Sequence, residues 1–225
     1  MPAQIDHLLV TRDTLEIVRD QIAAILALES AQQMALAPGS GKDPLDWELH
    51  VYTDRVSPIG EYLQSDAPRL PPIVVVYFQQ DSFDGKASDQ LKHRYFGTFV
   101  IDCYGYGCSK DDPNDAQAHL PGDIQAEQEA TRAARLVRQI LVATPYFNLG
   151  LPGLVGKRQF VARENLTPSQ EERPVSHVSA FRLKLQVDFD EFSPENSFPN
   201  IESVAITFTR DGDGRVLVAA DYPLT

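Results

Sequence analysis

The sequence predicts an α+β fold: a mostly antiparallel sheet packed by two helices, with β-hairpins projecting from it. Three observations carry this. Within residues 175–192, Phe181, Leu183, Leu185, Val187 and Phe189 alternate with Arg182, Lys184, Gln186, Asp188 and Asp190, which is the pattern of a strand with one buried and one wet face. Two other stretches carry apolar residues at helical spacing. A short unbroken apolar run, Ile73-Val74-Val75-Val76-Tyr77-Phe78, reads as a central strand covered on both faces.

Taken in order, a helix is expected from about Asp13 to Ala35. Asp13 caps it, Glu16 completes a capping box, and Leu15, Val18, Ile22 and Ile25 form its apolar stripe. Pro38-Gly39-Ser40-Gly41 ends it. A strand follows over Trp47 to Asp54, then an irregular Pro-rich stretch from Ser57 to Pro72. Strands over Ile73–Gln79 and His93–Tyr106 flank a polar loop, Asp81–Asp89, and read as an antiparallel hairpin with a long exposed tip. Ser109–Pro121 reads as a polar loop. A second helix opens at Gly122 or Asp123 and runs to about Thr144, where Pro145 stops it. Its stripe is Ala130, Ala134, Val137 and Leu141, widened by Ala133, Leu136 and Ile140, and its small residues permit close packing on a sheet.

A strand over Leu154–Ala162, a charged loop over Arg163–Pro174 and the long strand Val175–Phe192 complete the body. That last strand exceeds the usual length, so a bend or a projection is expected. Pro194–Pro199 reads as a linker. A closing hairpin pairs Val204, Ile206 and Phe208 with Val216, Val218 and Ala220 across an Asp211-Gly212 turn. The expected division is residues 1–193 as the α/β body and 194–225 as a hairpin extension.

Composition bounds the function. The chain has 225 residues, 43% hydrophobic and 23% charged, with a formal net charge of −12. A chain this long buries roughly 70% of its unfolded surface and needs no disulfide or metal to hold a core. An acidic surface repels phosphate and disfavours binding to a duplex. The beginning of the chain carries Asp6 and His7 without a long apolar run, so no signal peptide is expected, nor a membrane span.

No chemical constellation emerges. The five histidines are scattered, without a His-x-x-x-His pair. Cys103 and Cys108 are too few for a zinc site and read as half-buried thiols, with a disulfide within the turn or between subunits left open. Asp211-Gly212-Asp213-Gly214 lacks the remaining ligands of a calcium loop. Gly39-Ser40-Gly41-Lys42 lacks the spacing of a phosphate loop. Tyr104-Gly105-Tyr106-Gly107, flanked by Asp102, Asp111 and Asp112, reads as a strand end with a bulge or a close backbone approach. A pocket gathering several of His50, His93, Asp102 and Cys103 would argue for an enzyme. No catalytic residue, metal or cofactor is expected.

Three stretches resemble tail terminator proteins of tailed bacteriophages: Arg135-Leu136-Val137-Arg138-Gln139-Ile140-Leu141, Leu149-Gly150-Leu151-Pro152-Gly153-Leu154-Val155, and Ala180 to Phe189. The segment Gly97 to Gly107 is similar as well. The resemblance implies a tail-terminator-like fold and a non-enzymatic virion protein made in the host cytoplasm. Such a protein forms a homo-hexamer ring that caps the tail tube, stops its growth and meets the head–tail connector or neck. In a contractile tail it also holds the last sheath ring. Six copies would carry about −72, which lets DNA pass the lumen without adhering. Opposite-charge contacts must then join the subunits. The candidate docking residues are Asp81, Phe83, Lys86 and Lys92 at the hairpin tip, and Arg163, Glu164 and Arg173 in the charged loop. Arg132, Arg135 and Arg138 on the second helix are either a solvated face or a ring contact. A different connector or baseplate part, and a hydrolase assembled only by the fold, are the other readings.

Overall fold

The computed structural model describes residues 11–55, 58–60, 69–89, 91–112, 115–166, 176–192, 203–209 and 216–223. The first helix, α1 (Thr14–Leu36), starts where the capping box places it. The Asp13 carboxylate accepts from Leu15 N at 3.0 Å, and the Glu16 carboxylate accepts from Asp13 N at 3.1 Å. Two donors that have no partner inside the helix are thereby satisfied. Val18, Ile22, Ile25 and Leu26 bury the stripe. Ser30 joins them because its hydroxyl has work there: it donates to Trp47 O at 2.8 Å and accepts from Leu49 N at 2.9 Å.

The first strand, β1 (His50–Thr53), is shorter than the expected Trp47–Asp54. Pro44–Asp46 forms a 3₁₀ turn capped by the Asp43 carboxylate, and it consumes the backbone that an earlier strand start would need. β1 pairs parallel with β2 (Ile73–Phe83), His50 opposite Ile73. β2 runs four residues past the expected end, because a bulge between Phe78 and Gln80 carries the ladder onward to Phe83 opposite Tyr95. Asp81 and Phe83 therefore lie on a strand rather than in a loop. β2 and β3 (Lys92–Cys108) form the antiparallel hairpin.

Residues 109–121 depart from the expected loop. They hold a second small hairpin, β4 (Lys110–Asp112) paired with β5 (Asp115–Leu120). The Pro113-Asn114 pair is a turn signal, and Asp115 to Leu120 alternates polar and apolar residues weakly enough to pass for loop. The second helix, α2 (Gly122–Val142), ends just before the expected Thr144. The last α2 turn has no basic residue of its own. Arg158 of β6 (Val155–Leu166) supplies one, donating to Leu141 O and to Ala143 O. A cation there complements the negative end of the helix dipole.

β6 also runs four residues past the expected Ala162, so Arg163 and Glu164 are strand residues and not loop. The reason is the partner: β7 (Ser176–Phe192) is long enough to offer Leu183, Arg182, Phe181 and Ala180 as ladder partners to residues 163–166. The length of β7 is matched by that of β3. It pairs with β3 through all 17 positions, from Lys92 opposite Phe192 to Cys108 opposite Ser176. The sheet order is β1-β2-β3-β7-β6, antiparallel except at β1–β2. β8 (Ser203–Thr209) and β9 (Val216–Pro223) pair antiparallel as a separate sheet. The Asp211-Gly212 turn, Arg173 and the Pro194–Pro199 linker lie outside the described residues.

Both helices pack on one face of the sheet. Phe181, Leu183, Leu185, Val187 and Phe189 of β7 join Phe99, Ile101 and Cys103 of β3 and the apolar stripes of α1 and α2 in one core. Cys103 is fully buried there rather than half-buried, and Cys108 lies on the opposite face. Gly105 and Gly107 explain how α2 comes so close. A Cβ at Gly107 would overlap the Gly122 carbonyl oxygen and reach within 2.6 Å of Ala126 N. One at Gly105 would overlap the Ala126 carbonyl oxygen and approach Ala130 Cα to 3.0 Å. The close approach expected of the Tyr-Gly-Tyr-Gly segment is thus a helix lying on bare strand backbone.

The opposite face is not uniformly wet. Ile73, Val75, Tyr106 and Val178 make a smaller apolar cluster at one end of it. Beside it Asp102, 3% exposed, accepts from Arg182 Nε and Nη2, each at 2.8 Å, and from the Tyr77 hydroxyl at 3.1 Å. Asp102 and Arg182 are direct cross-strand partners. Burial, then the Asp102 charge, pushes the Tyr104 hydroxyl up to about 12.

Two outcomes test this packing. Gly107→Ala should lower unfolding stability by about 3 kcal/mol in denaturant titration, because backbone rather than a flexible side chain blocks the new methyl. Arg182→Met should cost about 3 kcal/mol by leaving a buried carboxylate unpaired, whereas Asp102→Leu combined with Arg182→Met should recover most of that loss.

Candidate assembly surfaces

The β2–β3 hairpin tip is braced from within. Asp84 N donates to Arg94 O at 2.9 Å, and Asp89 N to Lys92 O at 2.8 Å. Ser88 Oγ donates to Asp84 O at 2.7 Å and accepts from Arg94 N at 2.9 Å. The Asp84 and Asp89 carboxylates accept from Lys86 N at 3.1 Å and Leu91 N at 2.8 Å. These bonds hold the turn in one shape while it shows Phe83 (54% exposed) and Leu91 (49%) to solvent. Phe83 is not isolated. Its ring lies 5.7 Å from His93 and 5.9 Å from Tyr95, and Tyr95 stacks on the buried Phe189 at 5.7 Å. An aromatic ladder thus runs from the tip into the core, of the kind that contributes about 1 kcal/mol per pair.

Below the tip, Asp190 is 4% exposed and gathers two cations. Arg94 binds it at 2.7 and 2.9 Å, and Lys92 Nζ at 2.7 Å. Burial raises this carboxyl, but the Arg94 and Lys92 hydrogen bonds and charges outweigh burial and hold it below its ordinary 3.8. Of the expected tip residues, Lys92 is therefore engaged at home, while Asp81, Phe83 and Lys86 face solvent. Arg94 and Asp190, which sequence reasoning passed over, fasten the base of the tip.

On α2, Arg132 turns inward. It clamps Glu129 and the carbonyl of Asp46, and Arg69 reaches Asp43, Asp46 and Glu129 from the other side. This network ties α2 to the 3₁₀ turn before β1. Arg135 and Arg138 remain exposed. Arg132 and Arg135 border a shallow recess of about 240 Å³ with Glu127, Gln128 and Thr131. On β6, the Arg163 guanidinium lies 4.4 Å from the Phe181 ring centroid, and Glu164 pairs with Lys184 at 2.8 Å.

The candidates do not share one patch. Arg163 is level with Leu183 and hence with Ile101, nine register positions along β3 from Lys92. At strand rise that is roughly 30 Å. The tip and the Arg163–Glu164 stretch of β6 are two separate surfaces.

Nor does the fold assemble the residues that would have argued for chemistry. Asp102 and Cys103 are neighbours that face opposite sides of the sheet. His50 sits on the β1 edge beside Glu48, and His93 at the tip beside Phe83. Among the described residues no group of three or more His, Cys, Asp or Glu side chains is placed to hold a metal ion. Ser109 and His177 do meet, at 2.9 Å, but the Ser109 hydroxyl accepts from Gly122 N at 3.0 Å. The pair pins the first turn of α2 against the ends of β3 and β7. No helix among the described residues is long and apolar enough to cross a membrane.

No protein-family model matches the chain, and no curated protein sequence does. Among solved structures the chain is similar to the sheath/tube terminator of an extracellular contractile injection system, PVC, in its extended state. The identity is 12%, the TM-score 0.28, and the match covers 84% of this chain and 64% of that one. The chain thus spans about 64% of the length of that terminator.

The Asp190 clamp makes a pH-dependent prediction. A carboxyl held below its ordinary value stabilises the fold above pH 3.8 and loses that contribution as pH falls through its folded value. Asp190→Asn should therefore destabilise the protein at neutral pH and flatten the acid limb of its stability profile. Equal acid sensitivity in both proteins, read by fluorescence-monitored unfolding, would show that the clamp contributes nothing.

Proposed function

We propose that the chain is a structural subunit of a tail assembly, a tail terminator that closes into a homo-hexamer ring. The ring caps the tail tube, halts its growth and meets the head–tail connector or neck. In a contractile tail it also holds the last sheath ring. The observation that carries this reading is the hairpin tip. A turn braced by its own hydrogen bonds, offering an exposed aromatic backed by a ladder into the core, is preorganised for a partner surface and loses little entropy on docking.

The rest of the molecule supports the same reading. The stretches that resemble phage terminators fall on α2, on the turn into β6 and on β7, and β7 lies between β3 and β6 in the sheet. The net charge of −12 suits a ring through which DNA moves without adhering. Arg135 and Arg138, turned away from the core, are the cations on α2 available to an acidic neighbour.

The test is assembly itself. The 25.0 kDa chain should give a six-fold particle of about 150 kDa by light scattering and electron microscopy, alone or on tail-tube protein. Phe83→Ser should lower the melting temperature only by what its contacts with His93 and Tyr95 contribute, and, at a temperature where both proteins are folded, weaken docking on the partner ring about tenfold or more. A chain that stays monomeric at every concentration, with tube protein present, would refute the reading.

A further inference from the structure

We infer that subunits of this ring join edge to edge, the β6 strand of one copy pairing with the C-terminal β8–β9 hairpin of the next. The inference rests on the ring reading and names the contact that would build it. β6 is the outer strand of the five-stranded sheet, and β7 is its partner on the inner side. Its 12 residues make it the long edge of the sheet, whereas β1 at the other edge has four. An edge of that length is a template for another strand. Val161, 50% exposed at the bulge after Phe160, adds an apolar side chain beside it.

The occupant follows from length and charge. Lys157 and Arg163 make β6 a basic strand in an acidic protein, so two β6 strands repel one another. The segment 194–225 carries Glu195, Glu202, Asp211, Asp213 and Asp221 against Arg210 and Arg215, and is acidic. Its strands, of seven and eight residues, match what β6 can pair and exceed what β1 can. A hairpin of two strands is marginal in water and gains a third strand by docking. In the single chain the hairpin and the five-stranded sheet are separate sheets. An edge that meets a different element on its neighbour is a head-to-tail contact, which closes into a ring when the rotation between neighbours divides a full turn.

Hydrogen exchange on the full chain, below and above the concentration at which it assembles, tests this contact. In the assembled state the amides of residues 157–166 and of β8 and β9 should slow together by about tenfold or more, and in the monomer they should not. A ring whose β6 amides exchange as in the monomer would overturn the edge contact and leave the ring intact. Protection already present in the monomer would place the hairpin on its own β6 and overturn it as well. Absence of any ring would remove both readings. Independently, Lys157→Glu with Arg163→Glu should weaken assembly about tenfold, measured at a temperature at which both proteins remain folded. Assembly at the wild-type concentration would count against the charge match.

Discussion

The antiparallel ladder between β3 and β7 is the constraint on which the rest of this molecule depends. Seventeen consecutive residue pairs lock the two strands into one register. Because side chains alternate in a strand, that single register decides which residues meet the helices and which face away. A slip by one position would send Phe181, Leu183, Leu185, Val187 and Phe189 to the open face. The ladder also sets the reach of the domain. Its Lys92–Phe192 end carries the tip, and its partnering of β6 fixes where the sheet stops.

Two devices defend the register from opposite sides of the sheet. On the helix side, Gly105 and Gly107 leave bare backbone against Ala126 and Ala130, so α2 seats on β3 at one place along its length. A helix bearing larger residues would ride higher and could slide. On the other side, Asp102 and Arg182 are directly opposed and doubly bonded. A one-residue slip would separate them and strand a buried carboxylate. Apolar packing is tolerant of displacement, whereas a bidentate ion pair is not. At the tip, Asp190 with Lys92 and Arg94 repeats that arrangement.

Much of this was legible in residue order. The capping box, both helical stripes, the β2–β3 hairpin and the alternation of β7 are local signals, and each element formed where its signal stood. The readings that failed were non-local. β2 and β6 outran their expected ends because their partners were long, and no local propensity announces the length of a partner. The β4–β5 hairpin was missed because its alternation is weak and its residues polar. Cys103 passed for half-buried because its burial depends on α2 arriving over β3. The same limit held for the candidate surfaces. Phe83 and Lys86 were found as exposed tip residues, but Lys92 and Arg132 were absorbed by Asp190 and Glu129, which lie 98 and 3 positions away in the chain. The lone Asp102 within Val100-Ile101-Asp102-Cys103, facing Arg182 of its register partner, was a signal that could have been read earlier.

By itself the sequence determined the fold class, the order of the elements apart from β4 and β5, the face each helix buries and the acidic character of the surface, because periodicity, caps and charge are properties of neighbours in the chain. The tertiary structure alone decided which strand forms the free edge, which cations remain available to a partner, and that the tip and the Arg163–Glu164 stretch of β6 are separate surfaces of one sheet. Those follow from strand order and register, which arise when residues tens of positions apart compete for the same backbone partners.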